Sequence, residues 1–199
     1  MNASLKRIRV IVLSGVAEAT SWVSVILLIR RCGFKDRARL FYIINEAAKA
    51  YEGGIPEDCY HEPYMPMEEL LNEMKAMTFY GYEVNKELIG VMGLQPLGEV
   101  TLIRHSYVLP SHQGKGVGTM LLNHLIWIAP SKRILVGTWR AAEWAVRFYE
   151  GNGFKLLSNK DELLRRYWKI PERQIEASVV LGKEEDEIQK LHNNCDLRF

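Results

Sequence analysis

Residues 113–118 have the sequence QGKGVG and separate two apolar runs of different periodicity. The run before them, Val100–Leu109, is rich in β-forming residues and predicts a strand, whereas Val117–Ile128 predicts a helix that ends before Pro130. At a helix start, backbone N–H groups lack intrahelical partners and the helix dipole adds positive charge. Glycines let an anion approach this backbone because no Cβ stands in the way. The stretch therefore predicts a phosphate-binding loop, with a glycine-rich surface turn as the alternative.

The spacing of the glycines excludes two common kinds of phosphate loop. The nucleoside-triphosphate pattern G-x-x-x-x-G-K-[ST] fails because Gly116 follows Lys115. The dinucleotide pattern G-x-G-x-x-G fails because Thr119 occupies the position of its last glycine. The pattern that fits is Q-x-x-G-x-G, beginning at Gln113.

A second motif lies downstream, where residues 145–154 have the sequence AVRFYEGNGF. In this order, the two motifs resemble those of the GNAT superfamily of acyl-CoA N-acyltransferases, [QR]-x-x-G-x-[GA] and A-x-x-F-Y-E-x-x-G-F. The resemblance extends from about Val25 to Leu181. It implies one α+β domain with a mixed, mostly antiparallel sheet flanked by helices on both faces. It also implies acetyl-CoA as the cosubstrate and a primary amine, on a small molecule or a peptide, as the acceptor.

The resemblance assigns cofactor contacts to the end of the central strand, to the glycine loop and to the second motif. The strand end would pair its backbone with the pantetheine arm, and the loop would hold the pyrophosphate. These positions are Tyr107, Val108, Leu109, Gln113, Gly114, Lys115, Gly116, Val117, Gly118, Thr119, Ala145, Phe148 and Tyr149. Phe148 is also expected in the core, together with Phe154. Ala142 occupies the place of an asparagine that often contacts the cofactor in the family, so that contact stays open.

Tyr149 is the residue that the resemblance implies as the catalytic acid. Attack of an amine on a thioester expels a thiolate, which benefits from a proton donor. A phenol with an ordinary pKa of about 10 stays protonated at neutral pH and can still share its proton in the transition state. The alternative is a packed aromatic residue whose hydroxyl only contacts the cofactor sulfur. Neither motif contains a cysteine, so we expect direct attack in a ternary complex rather than an acyl-enzyme.

The residue that deprotonates the acceptor is less clearly indicated. Bases of the family often lie on the central strand at a position that Leu102 occupies here, and leucine cannot serve. His105 is the nearest titratable candidate, although strand alternation could turn it away and leave it structural. Glu83, on the preceding hairpin, is the second candidate, with a solvated carboxylate as the alternative. His61 and Glu62 lie in a loop expected to border the acceptor. The rival functions are an acyl-CoA sensor without turnover and transfer of a different acyl group.

The composition limits the partners. The chain has 199 residues, 48% of them hydrophobic, and 26 basic against 24 acidic residues give a net charge of +2. This near balance indicates no nucleic-acid partner. The three cysteines have no metal-binding or disulfide spacing, so we expect no metal and a reduced, cytoplasmic protein. A homodimer is left open.

We expect an N-terminal leader over residues 1–22, the GNAT domain over 23–183 and a polar tail over 184–199. The apolar run from Val10 to Ile29 could in length span a bilayer, but Glu18 interrupts it, so no membrane partner is expected. A leader followed by a first core strand near Val25–Arg30 is the favoured interpretation, and an anchor or a signal sequence stays open.

Periodicity predicts the remaining elements. A helix is expected from Asp36 to about Tyr51, and a tight hairpin joins the strands Phe79–Val84 and Glu87–Leu94. We expect a turn at 96–98 and a final strand over Gln174–Leu181.

Overall fold

The computed structural model of the protein describes residues 27–184. Within this range, seven strands form one sheet in the order β1-β2-β3-β4-β5-β7-β6. All neighbouring strands are antiparallel except β4 and β5, which are parallel. The strands are β1 Leu27–Arg31, β2 Thr78–Val84, β3 Glu87–Leu97, β4 Val100–Val108, β5 Arg133–Trp139, β6 Lys155–Leu156 and β7 Ser178–Glu184. The α+β class and the mostly antiparallel sheet are thereby confirmed.

Helices cover both faces of the sheet. Gly90 of β3 faces the start of α3, because a Cβ there would come within 2.9 Å of Val117. Gly93, on the opposite face, lies against Met77 at the end of α2. The described helices are α1 Arg37–Ala48, α2 Met67–Ala76, α3 Val117–Ile128, α4 Glu143–Gly151, α5 Lys160–Tyr167 and α6 Glu172–Ala177. None of the helices within residues 27–184 has both the length and the apolar character needed to cross a membrane.

The core explains why the apolar helix α3 forms where the sequence predicts it. Three leucines at helical spacing are completely buried: Leu121, Leu122 and Leu125. This apolar face of α3 packs against the sheet, away from water. Burying a leucine side chain contributes about 1.5–3 kcal/mol, which dominates the weak intrinsic helix propensity.

Local sequence rules predict most element boundaries, with two errors. The hairpin turn is confirmed: Asn85 and Lys86 both have positive φ, as a two-residue type I′ turn requires. The predicted turn at 96–98 is wrong, because β3 continues through Leu97 and the chain turns at Gly98, where φ is +66°. The predicted strand over Gln174–Leu181 is wrong in its first half, because residues up to Ala177 belong to α6. The expected leader 1–22 and most of the tail 184–199 lie outside the described residues, and β7 ends at Glu184.

Two irregularities of β4 position the site. Its parallel pairing with β5 ends at Ile103 opposite Val136, while β5 stays paired with β7 as far as Trp139. The sheet therefore opens between the second halves of β4 and β5. Beyond this point β4 also bulges, because two of its residues, His105 and Ser106, lie opposite a single residue of β3.

Candidate active site

A cavity of about 410 Å³ lies where β4 and β5 separate. Its walls come from the second half of β4, the end of β5, the loop between α1 and α2, and the segment from α5 to α6. Tyr149 and Ala145 of α4 also line it. Five parts of the chain that are distant in sequence thus meet where the sheet opens between β4 and β5.

The glycine loop has the backbone geometry of an anion site. Gly114 and Gly116 have φ of +71° and +79°, a region that side chains with a Cβ rarely adopt. The first hydrogen bond into α3 joins Met120 N–H to Gly116 C=O at 2.9 Å. The N–H groups of residues 117–119 precede this bond and so lack intrahelical partners.

The surroundings of the loop fit the pyrophosphate of a coenzyme A molecule. No atom lies within 4 Å of the position that a Cβ would take on Gly114, which leaves open space in front of the backbone. The Lys115 ammonium lies over the same loop, where it donates to the Ser111 carbonyl at 2.9 Å. The Gln113 amide donates to the Val108 carbonyl at 2.9 Å and ties the loop to the strand end. The Leu109 N–H donates a hydrogen bond to the Ile89 carbonyl, so this N–H cannot also donate to a ligand.

Helix α4 connects the loop with the cavity. A Cβ on Gly118 would lie 3.3 Å from the Phe148 ring, so the start of α3 packs closely on α4. The next residue, Tyr149, lines the cavity and is 4% exposed. Its ring lies between those of Phe148 and Phe154, with centroids 5.0 and 5.7 Å away in edge-to-face geometry. Adjacent residues of one helix therefore contact the start of α3, next to the glycine loop, and the cavity.

The Tyr149 hydroxyl is held neutral. Burial raises the pKa of Tyr149 to about 12, and the nearby Ser106 hydroxyl partly opposes the shift. The Ser106 oxygen is itself buried and forms no hydrogen bond of normal geometry within the described residues. A phenol in this environment is a proton donor throughout the neutral range.

The bulge places two consecutive side chains of β4 on the same side of the sheet. His105 has φ of +50°, and its Nε2 lies 3.1 Å from Glu73 Oε2, while Arg104 reaches the same carboxylate oxygen at 3.0 Å. The His105 ring stacks on Phe79 at 5.7 Å and lines the cavity. Although burial alone would raise the pKa of Glu73, its contacts with His105 and Arg104 hold that pKa below its ordinary value. Simple alternation along the strand therefore fails here.

The structure does not bring Glu83 to this cavity. The Glu83 carboxylate accepts from Arg30 Nε at 2.7 Å on the outer strands, and Arg30 also binds both oxygens of Asp36. We therefore do not retain Glu83 as a candidate base. In the loop between α1 and α2, His61 lines the cavity, whereas the Glu62 carboxylate accepts from the Tyr60 hydroxyl at 3.1 Å.

One wall of the cavity consists of four aromatic residues, and we call it the aromatic wall: Tyr51, Tyr64, Tyr107 and Trp139. Trp139 Nε1 donates to the Tyr64 hydroxyl at 2.9 Å, and the Tyr51 and Tyr64 rings lie 5.3 Å apart. Burial raises the pKa of Tyr51, Tyr64 and Tyr107, which keeps their hydroxyls neutral. Tyr51, Tyr64 and Glu73 were not predicted as site residues from the sequence. Nothing in their local spacing marks them, because α1, the following loop and α2 deliver them from far along the chain.

Residues 27–184 contain neither a metal-binding cluster nor a thiol with a lowered pKa. Among residues 27–184, no group of three His, Cys, Asp or Glu side chains is arranged to hold a metal ion. Cys32 and Cys59 are free thiols. Cys32 is buried away from the cavity, and burial raises the pKa of its thiol to about 12, so it is a poor nucleophile. Cys59 borders the cavity, and its pKa is raised by burial as well.

Comparison with known proteins gives consistent matches. The sequence model described as the Acetyltransferase (GNAT) family matches residues 40–154, more than half of the chain. The fold is similar to that of the PaiA N-acetyltransferase from Thermoplasma acidophilum, crystallised with coenzyme A. The TM-score is 0.63 at 22% identity, over 79% of this chain and 98% of that one.

Two further solved structures have the same fold. The ribosomal-protein-S18-alanine N-acetyltransferase from Escherichia coli has a TM-score of 0.58 at 14% identity, over 80% of this chain and 94% of that one. A GNAT family acetyltransferase from Elizabethkingia anophelis, with acetyl-CoA bound, has a TM-score of 0.54 at 21% identity, over 79% and 97%.

Proposed function

This chain belongs to the GNAT acetyltransferase family, and we propose that it transfers the acetyl group of acetyl-CoA to a primary amine by direct attack in a ternary complex. The observation that carries the proposal is the double role of α4. Phe148 packs on the start of α3, where we propose the anion site, and Tyr149 faces the cavity where the sheet opens. A ligand with a phosphate group at one end and a reactive group at the other would be held across these two places.

Acetyl-CoA supplies an activated acetyl group as a thioester. The N–H groups at the start of α3 and the backbone of Gly114 and Gly116 would hold its pyrophosphate. The half of β4 after Ile103, which is free of β5, offers backbone groups to the pantetheine arm. Ala142, buried at the start of α4, has no polar side chain to add a contact there.

Tyr149 is proposed as the proton donor to the departing thiolate. In the reaction the amine nitrogen bonds to the acetyl carbon, the carbon–sulfur bond breaks, and sulfur takes a proton from the Tyr149 hydroxyl. The raised pKa keeps that proton available at every physiological pH. An acid in position contributes about 10²–10⁴ in rate.

His105 is proposed as the acceptor of the proton that the amine loses. It faces the cavity, and the Glu73 carboxylate fixes its ring through Nε2, as carboxylates orient catalytic histidines elsewhere. Glu73 does not line the cavity and is a positioning residue. Arg104, by binding the same carboxylate, keeps Glu73 in place.

We also propose a compartment and an acceptor for this protein. The free thiols of Cys32 and Cys59 agree with a reducing compartment, and we propose the cytoplasm. The proposed acceptor is a primary amine. A homodimer stays an open possibility for this chain.

The test is release of coenzyme A thiol from acetyl-CoA with a library of primary amines. We expect amine-dependent release in the wild type and at least a tenfold loss of turnover in His105→Gln. Turnover of this variant should recover as pH rises, because more of the acceptor is then already deprotonated. Tight binding of acetyl-CoA without any amine-dependent release would favour a sensor. Faster release from a longer acyl-CoA would favour a different acyl donor.

A further inference from the structure

Among the ionised side chains that line the cavity, one carboxylate has no counterion within residues 27–184. Four ionised side chains line it: two carboxylates, Asp58 and Glu69, and two guanidinium groups, Arg104 and Arg173. The two cations are both neutralised, Arg104 by Glu73 at 3.0 Å and Arg173 by Asp58 at 3.2 Å.

Glu69 is the carboxylate left over. Within residues 27–184, Glu69 forms no hydrogen bond and no ion pair with another side chain. It lies in the first turn of α2 and lines the same cavity as Tyr64, whose pKa is raised mainly by burial and further by the charge of Glu69. An unpaired carboxylate beside a cavity favours a ligand that brings a positive charge.

The aromatic wall supplies the second half of such a site. Tyr51 lies at the centre of it, 5.3 Å from the Tyr64 ring and 6.5 Å from the Tyr107 ring. Trp144 stacks on Tyr51 at 5.9 Å from outside the cavity and fixes its position. Aromatic faces attract organic cations through the ring quadrupole, and a carboxylate at the rim adds to this attraction.

We propose, on the basis of the proposed function, that the acceptor is recognised as a small organic cation, an alkylamine without a carboxylate next to its nitrogen. The aromatic wall holds the alkylammonium group, and Glu69 selects its charge. An amino acid bound through its α-amine would bring its own carboxylate against Glu69, and like charges at such a distance oppose binding. The wall and Glu69 are therefore specificity-determining residues for the acceptor.

The experiment measures binding of two isosteric probes to the wild-type complex with coenzyme A. Choline carries a quaternary ammonium with no proton to lose, and 3,3-dimethylbutan-1-ol replaces its charged nitrogen by carbon. Without an acyl donor neither probe can react, so binding is measured apart from catalysis. We expect choline to bind at least about tenfold more tightly than the neutral probe, as a desolvated cation over aromatic rings does.

Two matched pairs of variants assign the effect to the site. Glu69→Gln should weaken choline binding by up to about fivefold and leave the neutral probe unchanged, because Glu69 is exposed and water screens its charge. Glu68→Gln removes the same charge from the adjacent exposed position of α2, which does not line the cavity, and should change neither. Tyr51→Phe should keep choline binding, whereas Tyr51→Leu should lose it, with thermal unfolding as the check on folding.

Equal binding of the two probes, or equal effects of Glu69→Gln and Glu68→Gln, would overturn the inference. Amine-dependent turnover that is fastest with amino acids would also overturn it, while leaving the proposed acetyl transfer intact. Choline binding without turnover of any amine would leave the cation site and refute the proposed function.

Discussion

Replacing Gly116 by aspartate is the most direct perturbation of the phosphate loop. Gly116 precedes the first residue of α3 and has φ of +79°. The nearest atom to a Cβ at this position is Met120 Cε at 3.8 Å, so a side chain fits without a clash. The cost to folding is therefore conformational, about 1–2 kcal/mol for a residue in the left-handed region, and asparagine and aspartate adopt that region more readily than others. We expect the variant to fold.

The cost to binding is electrostatic. A carboxylate about 5 Å from a phosphate charge is repelled by about 0.8–3 kcal/mol for effective dielectric constants of about 80 to 20. Because a pyrophosphate carries more than one charge, the affinity for coenzyme A should fall by at least about tenfold. Gly116→Asn is the matched control, since it has the same shape and the same backbone preference without the charge. The difference between the two variants should shrink at high salt, because the loop is exposed and its charges are screened.

Isothermal titration with coenzyme A at low and high salt measures both effects, and thermal unfolding verifies the fold. If the aspartate variant binds as tightly as the asparagine variant at low salt, no phosphate lies close to Gly116. If both bind as tightly as the wild type, the loop is not the anion site and the assignment of 113–118 is wrong.

Three other expectations follow from the same structure. Tyr149→Phe should lower turnover by about tenfold to a thousandfold with little change in the dissociation constant of acetyl-CoA, since the hydroxyl acts mainly in the transition state; wild-type turnover with chemistry rate-limiting would exclude Tyr149 as the acid. The contribution of Tyr149 to stability should be constant up to about pH 10 and then fall towards pH 12, because its phenol ionises near 10 when unfolded but only at about 12 when folded. Tyr149 alone accounts for about 3 kcal/mol of that fall, and urea unfolding at pH 8 and 11 should show a smaller loss in Tyr149→Phe than in the wild type. Deleting residues 1–21, upstream of β1, should leave the affinity for acetyl-CoA unchanged by calorimetry, as our proposed domain at 23–183 requires; a variant that cannot fold would instead make this segment part of the domain.

The parts of the fold that the sequence predicts best are those fixed by neighbours in the chain. The bounds of α3, Val117–Ile128, agree with the prediction because glycines precede it and its apolar face repeats at helical spacing. The turn at 85–86 was predictable because a loop of only two residues between paired strands can adopt few turn conformations. The strand predicted over Gln174–Leu181 failed because a stretch of only six helical residues carries too little periodicity to be distinguished from a strand.

By itself, then, the sequence determined the family, and it marked the glycine loop and the tyrosine of α4 as candidate site residues, since all three are encoded in contiguous motifs. Only the tertiary structure decided which side chains face the cavity. The orientation of His105 depends on a bulge, and a bulge exists only relative to the strand that pairs with it. Glu69 and Tyr51 line the cavity, and Glu73 binds His105, because α2 and the segment after α1 pack over the sheet. Glu73 and His105 are 32 residues apart in the chain. Side chains that meet through packing leave no local pattern in the chain, because the burial energy that brings them together depends on total apolar area and not on their position in the sequence.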